Sequence, residues 1–160
     1  MVTYKTKDIC IYFNFTYLKT DFMKIGFLGG TSLTQTLGKK CIDAGLNAVF
    51  GVRSDFDVEA PDWKVLNRLY NRICPYESAI IQSEIVLICT ENEYLPEIFK
   101  AIKNVDTSDK LIVDCTNSHY DKKLAVSTKH LKKAAPKAFF FKAFYNLGID
   151  YPKSDPLGII

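Results

Sequence analysis

The sequence predicts an α/β protein: a doubly wound parallel sheet in three αβα layers, forming a single domain. Three observations predict it. From Met23 onward, short apolar runs alternate with longer amphipathic stretches. The runs are too uniformly apolar for strands with one wet face, and read as strands covered on both sides. The stretches between them have the roughly ten to fifteen residues that a right-handed crossover helix needs.

Taken in order, "KIGFLG" from Lys24 is the first strand, a short apolar run closed by glycine. Ser32 to Ala44 follows as a helix with Leu33, Thr36, Leu37 and Cys41 on one face, and Gly45 stops it. "LNAVFGVRS" is the second strand, ending near Arg53. Asp55 to Ala60 is an acidic loop, and Pro61 suits the first turn of a helix. That helix, "DWKVLNRLYNRI", gathers Val65, Leu66, Leu69, Tyr70 and Ile73 on one side. A third strand belongs before the next helix, and Ile73 with Cys74 is the one weak candidate for it. "YESAIIQS" then reads as a short helix and "EIVLICT" as a strand. "YLPEIFKAIKNV" is helical and "KLIVDCTN" a strand. "DKKLAVSTKHLKKAA" is a helix that stops before Pro136, and "KAFFFKAF" is the last strand.

The totals narrow the function. The 160 residues suffice for one core, and 48% apolar with 24% charged residues excludes disordered and fibrous classes. A net charge of +3 is too mild to point to nucleic acid. The lysines of "KHLKKAAPK" read as a solvated helix face. Five scattered cysteines, with no C-x-x-C pair and no Cys/His cluster, suggest neither a metal site nor a disulfide framework. Free thiols suit a reducing, cytoplasmic setting. No run approaches the length of a membrane span. The N-terminal "ICIYFNFTYL" makes a poor signal peptide. It is either an added edge strand, since Ile9, Ile11, Phe13 and Phe15 alternate, or an extension upstream of a working start at Met23. The expected division is therefore residues 1–22 as extension and 23–160 as the domain, with the extension unnecessary for folding. Three consecutive phenylalanines in an edge strand lead to the expectation of a homodimer.

In such sheets ligands sit off the carboxyl ends of the strands. Those ends are Gly29 to Thr31, Arg53 and Ser54, Thr90 to Asn92, Thr116 and Asn117, and Phe144 to Gly148. The first of them begins a phosphate-binding turn and then breaks it. The dinucleotide fingerprint is G-x-G-x-x-G; here the positions read Gly29, Gly30, Thr31, Ser32, Leu33, Thr34. Gly29 can make the turn and Gly30 leaves the backbone bare, while Thr31 and Ser32 can donate to phosphate or cap the helix. Thr34 replaces the glycine that lets helix and strand approach closely. A dinucleotide site and a plain structural corner both fit this turn. Arg53, 24 positions past Gly29, falls where an NADP-selective site of this Rossmann-like kind keeps a cation for the 2′-phosphate. A surface arginine beside Asp55 and Asp57 is the other reading.

At this point the chain resembles the NADP-binding domain of the coenzyme F-420-dependent NADP oxidoreductases. It is similar also to the cytosolic NADPH domains of six-transmembrane ferric reductases. The resemblance runs from Met23 to about Gly148. It rests on "KIGFLGG", on "FGVRS", on "IVDCTN" against V-D-x-T/S-N, and on "KAFYNLG" against K-A-F-N-T-[LI]-G. The resemblance implies that Gly29, Gly30, Thr31, Ser32 and Leu33 hold the pyrophosphate, and Arg53 with Ser54 the 2′-phosphate. It implies that Thr90, Glu91 and Asn92 flank the ribose and nicotinamide, with Asn117 and Ala143 at the nicotinamide end. Tyr145 stands where the family has Asn, and the chain stops short of the family's further elements, which reads as truncation at that end.

No nucleophile–base pair is visible, and catalytic residues stay unassigned. His119 and His130 read as solvated. Hydride transfer between a nicotinamide and a deazaflavin or flavin ring needs chiefly two stacked rings in near-contact. The expected activity is therefore an NADP(H)-dependent oxidoreductase passing hydride to such a ring or to a small-molecule acceptor. A non-catalytic NADP-binding module and an inactive partial relative are the alternatives.

Overall fold

The computed structural model describes residues 23–61, 63, 64, 72–116 and 127–144. Six strands form one sheet: β1 (Lys24–Leu28), β2 (Asn47–Val52), β3 (Ile73–Pro75), β4 (Ile85–Ile88), β5 (Leu111–Asp114) and β6 (Phe139–Lys142). Their order is β3-β2-β1-β4-β5-β6, and every pairing is parallel. The chain reverses direction across β1 and β4, so the crevice between their carboxyl ends is the switch point where such sheets take ligands.

Helices cover both faces. They include α1 (Ser32–Asp43), α2 (Tyr76–Gln82), α3 (Leu95–Lys103) and α4 (Ser127–Ala134). Alternation along the strands feeds two cores. Ile25, Phe27, Ala48 and Phe50 point toward α1 and Trp63 on one side. Leu28, Val49, Val86, Ile88 and Ile112 point toward α2, α3 and α4 on the other. The third strand, faint in the sequence, is real but only three residues long, pairing Phe50 with Ile73 and Val52 with Pro75. Ile73 therefore belongs to β3 rather than to the preceding helix. That helix starts as expected at Pro61, with the Lys64 N–H donating to the Ala60 carbonyl at 2.8 Å. Its remaining apolar face, Val65 to Tyr70, lies outside the described residues, as do residues 1–22, His119, Asn117 and Tyr145.

The buried face of α1 differs from the expected one. Thr34, Leu37 and Gly38 are buried, with Leu33 and Cys41 partly so, whereas the Thr36 hydroxyl turns back to the Ser32 carbonyl at 2.8 Å. A polar Thr34 is buried because its hydroxyl finds the Cys89 carbonyl at 3.1 Å, which satisfies a group that burial would otherwise penalise. Close helix–sheet approach comes one turn later: a Cβ on Gly38 would fall 2.1 Å from the Phe50 ring. The end of α1 is a Schellman cap, as Leu46 N–H bonds Cys41 O and Gly45 N–H bonds Ile42 O, both at 2.9 Å.

Candidate functional site

The turn between β1 and α1 is built by three local features. Gly29 takes φ +123°, and a side chain there would meet the Cys89 carbonyl at 2.5 Å, so only glycine fits. Thr31 is the N-cap: its hydroxyl accepts the Thr34 N–H at 3.3 Å and donates to the Cys89 carbonyl at 2.7 Å. That commitment takes the Thr31 hydroxyl away from phosphate, leaving the N–H groups of Ser32 and Leu33 in the first helical turn, where no carbonyl of α1 can reach them. Beneath the turn, contact with the Cys115 thiol and burial together push the Cys89 thiol well above its ordinary range. Cys89 is thus a protonated filler.

Arg53 leaves the end of β2 and faces the same crevice. Its guanidinium carbon lies 4.2 Å from the centroid of the Tyr94 ring, a cation–π distance. Its Nε is 2.7 Å from Asp55 Oδ1. Asp55 is 77% exposed, so solvent screens this pair and it contributes little to stability. Its consequence is orientation: Nε turns to Asp55 and the guanidinium lies against Tyr94 at the edge of the crevice.

Arg53 and Tyr94 border a cavity of about 180 Å³, which Gly30, Thr31, Thr90 and Glu91 also line. The structure thereby brings together Gly30, Thr31, Arg53, Thr90 and Glu91 among the residues singled out in the sequence. Thr90 is buried; Ser54 and Glu91 are exposed. Ala143 follows β6, two strands beyond β4, with its N–H on the Asp114 carbonyl at 3.1 Å. It does not line the cavity. Beside it, buried Asp114 accepts the Thr116 N–H and hydroxyl at 3.0 and 2.7 Å and pairs with Lys142 Nζ at 3.1 Å. His130 is exposed and stacks on Phe99, with ring centroids 5.8 Å apart.

Sequence reasoning missed three cavity-lining residues: Phe56, Tyr76 and Tyr94. Each follows a strand's carboxyl end, which was the available signal. Tyr76 went unnoticed because the strand before it was barely visible. Burial, with the Glu97 carboxylate adding to it, pushes the Tyr76 phenol up to about 12, so it stays protonated and offers a neutral hydroxyl.

Among the described residues no group of three or more His, Cys, Asp or Glu side chains could hold a metal ion. No helix among them is long and apolar enough to cross a membrane.

The family described as NADP oxidoreductase coenzyme F420-dependent matches residues 24–118. No curated protein matches the chain. Among solved structures, a candidate F420-dependent NADP-reductase from Arthrobacter aligns over 81% of this chain and 65% of its own. Its identity is 18% and its TM-score 0.65. A hypothetical protein from Sinorhizobium meliloti aligns over 86% and 69%, at 18% identity and a TM-score of 0.66. A reductive aminase from Aspergillus terreus aligns over 75% and 40%, at 15% identity and a TM-score of 0.54. At these identities the likeness is one of fold, and this chain spans about two thirds of the first two proteins.

Proposed function

Because the chain belongs to the family of coenzyme F420-dependent NADP oxidoreductases, we propose that its β1–β2–β4 crevice binds NADP(H) for hydride transfer. The partner in that transfer is a deazaflavin or flavin ring, or a small-molecule acceptor. One observation carries the cofactor choice: Arg53, at the end of β2, borders the cavity beside the glycine turn. A guanidinium fork there matches a 2′-phosphate and gains nothing from the hydroxyl of NADH. In this reading the turn from Gly29 to Leu33 holds the pyrophosphate, with the Ser32 and Leu33 N–H groups at the start of α1 as donors. Ser54 assists Arg53. Thr90, Glu91 and Asn92 flank the ribose, and Asn117 and Ala143 lie toward the nicotinamide.

The chemistry asks little of the protein's own acids and bases. A bound nicotinamide would supply the hydride chemistry, and the part of this chain would be to hold the two rings aligned in near-contact. The four described cysteines are all free thiols, which supports a reducing, cytoplasmic setting.

The test is a calorimetric titration of NADPH and NADH against the parent and Arg53→Ala. A charge-assisted contact contributes about 1.5–3 kcal/mol. NADPH binding should weaken by roughly ten- to a hundredfold, with NADH nearly unchanged. Equal losses for the two cofactors would remove Arg53 from the 2′-phosphate site. A parent that binds neither would reduce the turn to a structural corner.

A further inference from the structure

Arg53 has a neighbour in the cavity that the 2′-phosphate contact described above does not use. β2 and β3 end side by side, with Val52 paired to Pro75, so the next residue on each strand is Arg53 and Tyr76. Both line the same cavity. The backbone of Tyr76 is held there by a close approach. A Cβ built on Gly51 would lie 3.3 Å from the Tyr76 Cα and 2.9 Å from the Ala79 Cβ, so the first turn of α2 is pressed against β2. Tyr76 is 6% exposed and joins the buried cluster that includes Leu28, Val49, Ala79 and Ile80. Such packing fixes the direction of a side chain.

The hydroxyl is the polar end of this otherwise apolar residue. Among the described residues it has charged neighbours but no hydrogen-bond partner: Glu97, Arg53 and Asp55 act on it through space alone. Burial, and after it Glu97, push the phenol up to about 12, so the group meets an anion as a neutral donor. Arg53 by itself holds such an anion incompletely. Its Nε is turned to Asp55 and its guanidinium lies on the Tyr94 ring. A phosphate presents three strong acceptor oxygens, and a guanidinium fork pairs with two of them at most. The third calls for a donor, which the Asp55 carboxylate cannot be.

We propose that Tyr76 is a second specificity-determining residue of this site: its hydroxyl donates to the 2′-phosphate that Arg53 pairs with. This rests on the NADP(H) reading above and adds to it a neutral donor on the neighbouring strand end. Discrimination against the cofactor without that phosphate is then shared between a cation from β2 and a hydroxyl that follows β3. NAD+ has no group for either, so it gains nothing from Tyr76.

The experiment titrates NADP+ and NAD+ calorimetrically into the full chain and into Tyr76→Phe, which keeps the ring and removes only the hydroxyl. NADP+ should bind Tyr76→Phe about tenfold more weakly, the lower end for a hydrogen bond to a charged group. NAD+ should bind the two proteins alike. Unchanged NADP+ binding overturns the role of Tyr76 and leaves the NADP(H) site standing. Equal losses for the two cofactors also overturn it, because the hydroxyl then serves the site as a whole rather than the 2′-phosphate. A parent that binds neither cofactor, or NAD+ alone, overturns both readings. Should Tyr76→Phe fail to melt cooperatively, Tyr76→Met carries the same comparison, since a flexible thioether fills the space of the ring without a donor.

Discussion

Thr31 carries two structural duties with one hydroxyl, as N-cap of α1 and as donor to the Cys89 carbonyl at the end of β4. Thr31→Val keeps the shape and removes both. The expected loss is about 1–2 kcal/mol, the upper part of the range for a lost cap. Thr31→Ser should retain most of the stability. Thermal melts of the three proteins decide it, and a valine variant that melts with the parent would show that the cap contributes nothing. At this scale the sequence was partly legible. A threonine just ahead of a helical pattern is a recognisable cap, and the spacing from Gly29 to Arg53 pointed to the right strand end. What Thr31 bonds was not legible, because its partner Cys89 lies 58 residues away. The same holds for Phe56, whose place beside Gly30 depends on how one loop folds over another.

Between elements, the link from β5 to β6 joins a buried carboxylate to a lysine. Asp114 is fully buried, and Lys142 on the neighbouring strand supplies its cation. Lys142→Met removes that cation from the carboxylate. A fully enclosed pair would cost about 3–5 kcal/mol to break this way. The lysine side chain is 29% exposed, so water compensates and about 1.5–3 kcal/mol is expected. Urea denaturation measures it, and the added substitution Asp114→Asn should recover part of the loss. A single variant within about 0.5 kcal/mol of the parent, the range of neutral surface changes, would mean that solvent fully replaces the lysine. Elements with long, regular patterns were readable in the sequence: α1, β2, α3 and β5 lie where the apolar periodicity put them. β3 was nearly invisible because three residues cannot display a period. The face of α1 was misjudged because Thr34 and Gly38 are buried for reasons no hydrophobicity scale contains. One bonds a carbonyl and the other makes room for Phe50.

For the molecule as a whole, β6 is the outermost strand on its side of the sheet among the described residues, and Phe139 and Phe141 on it are each 61% exposed. They pair in register with Leu111 and Val113 of β5, which are only half-buried, so the apolar surface continues inward. A strand edge with no partner among the described residues, beside such a surface, invites a second copy. Sedimentation should show a dimer or larger species, and Phe139→Lys with Phe141→Lys should shift it toward monomer. A parent that stays monomeric over a wide concentration range would end this expectation. The strand order has a consequence of another kind, in time. β1 sits in the middle of the sheet, but Ile25 pairs with Ile85, 60 positions later. A ribosome adding about 5–20 residues per second takes roughly 3–12 s to deliver that partner. During synthesis β1 therefore waits with one side of its backbone unpaired, and Lys24 to Leu28 is the segment whose protection by a chaperone would matter most.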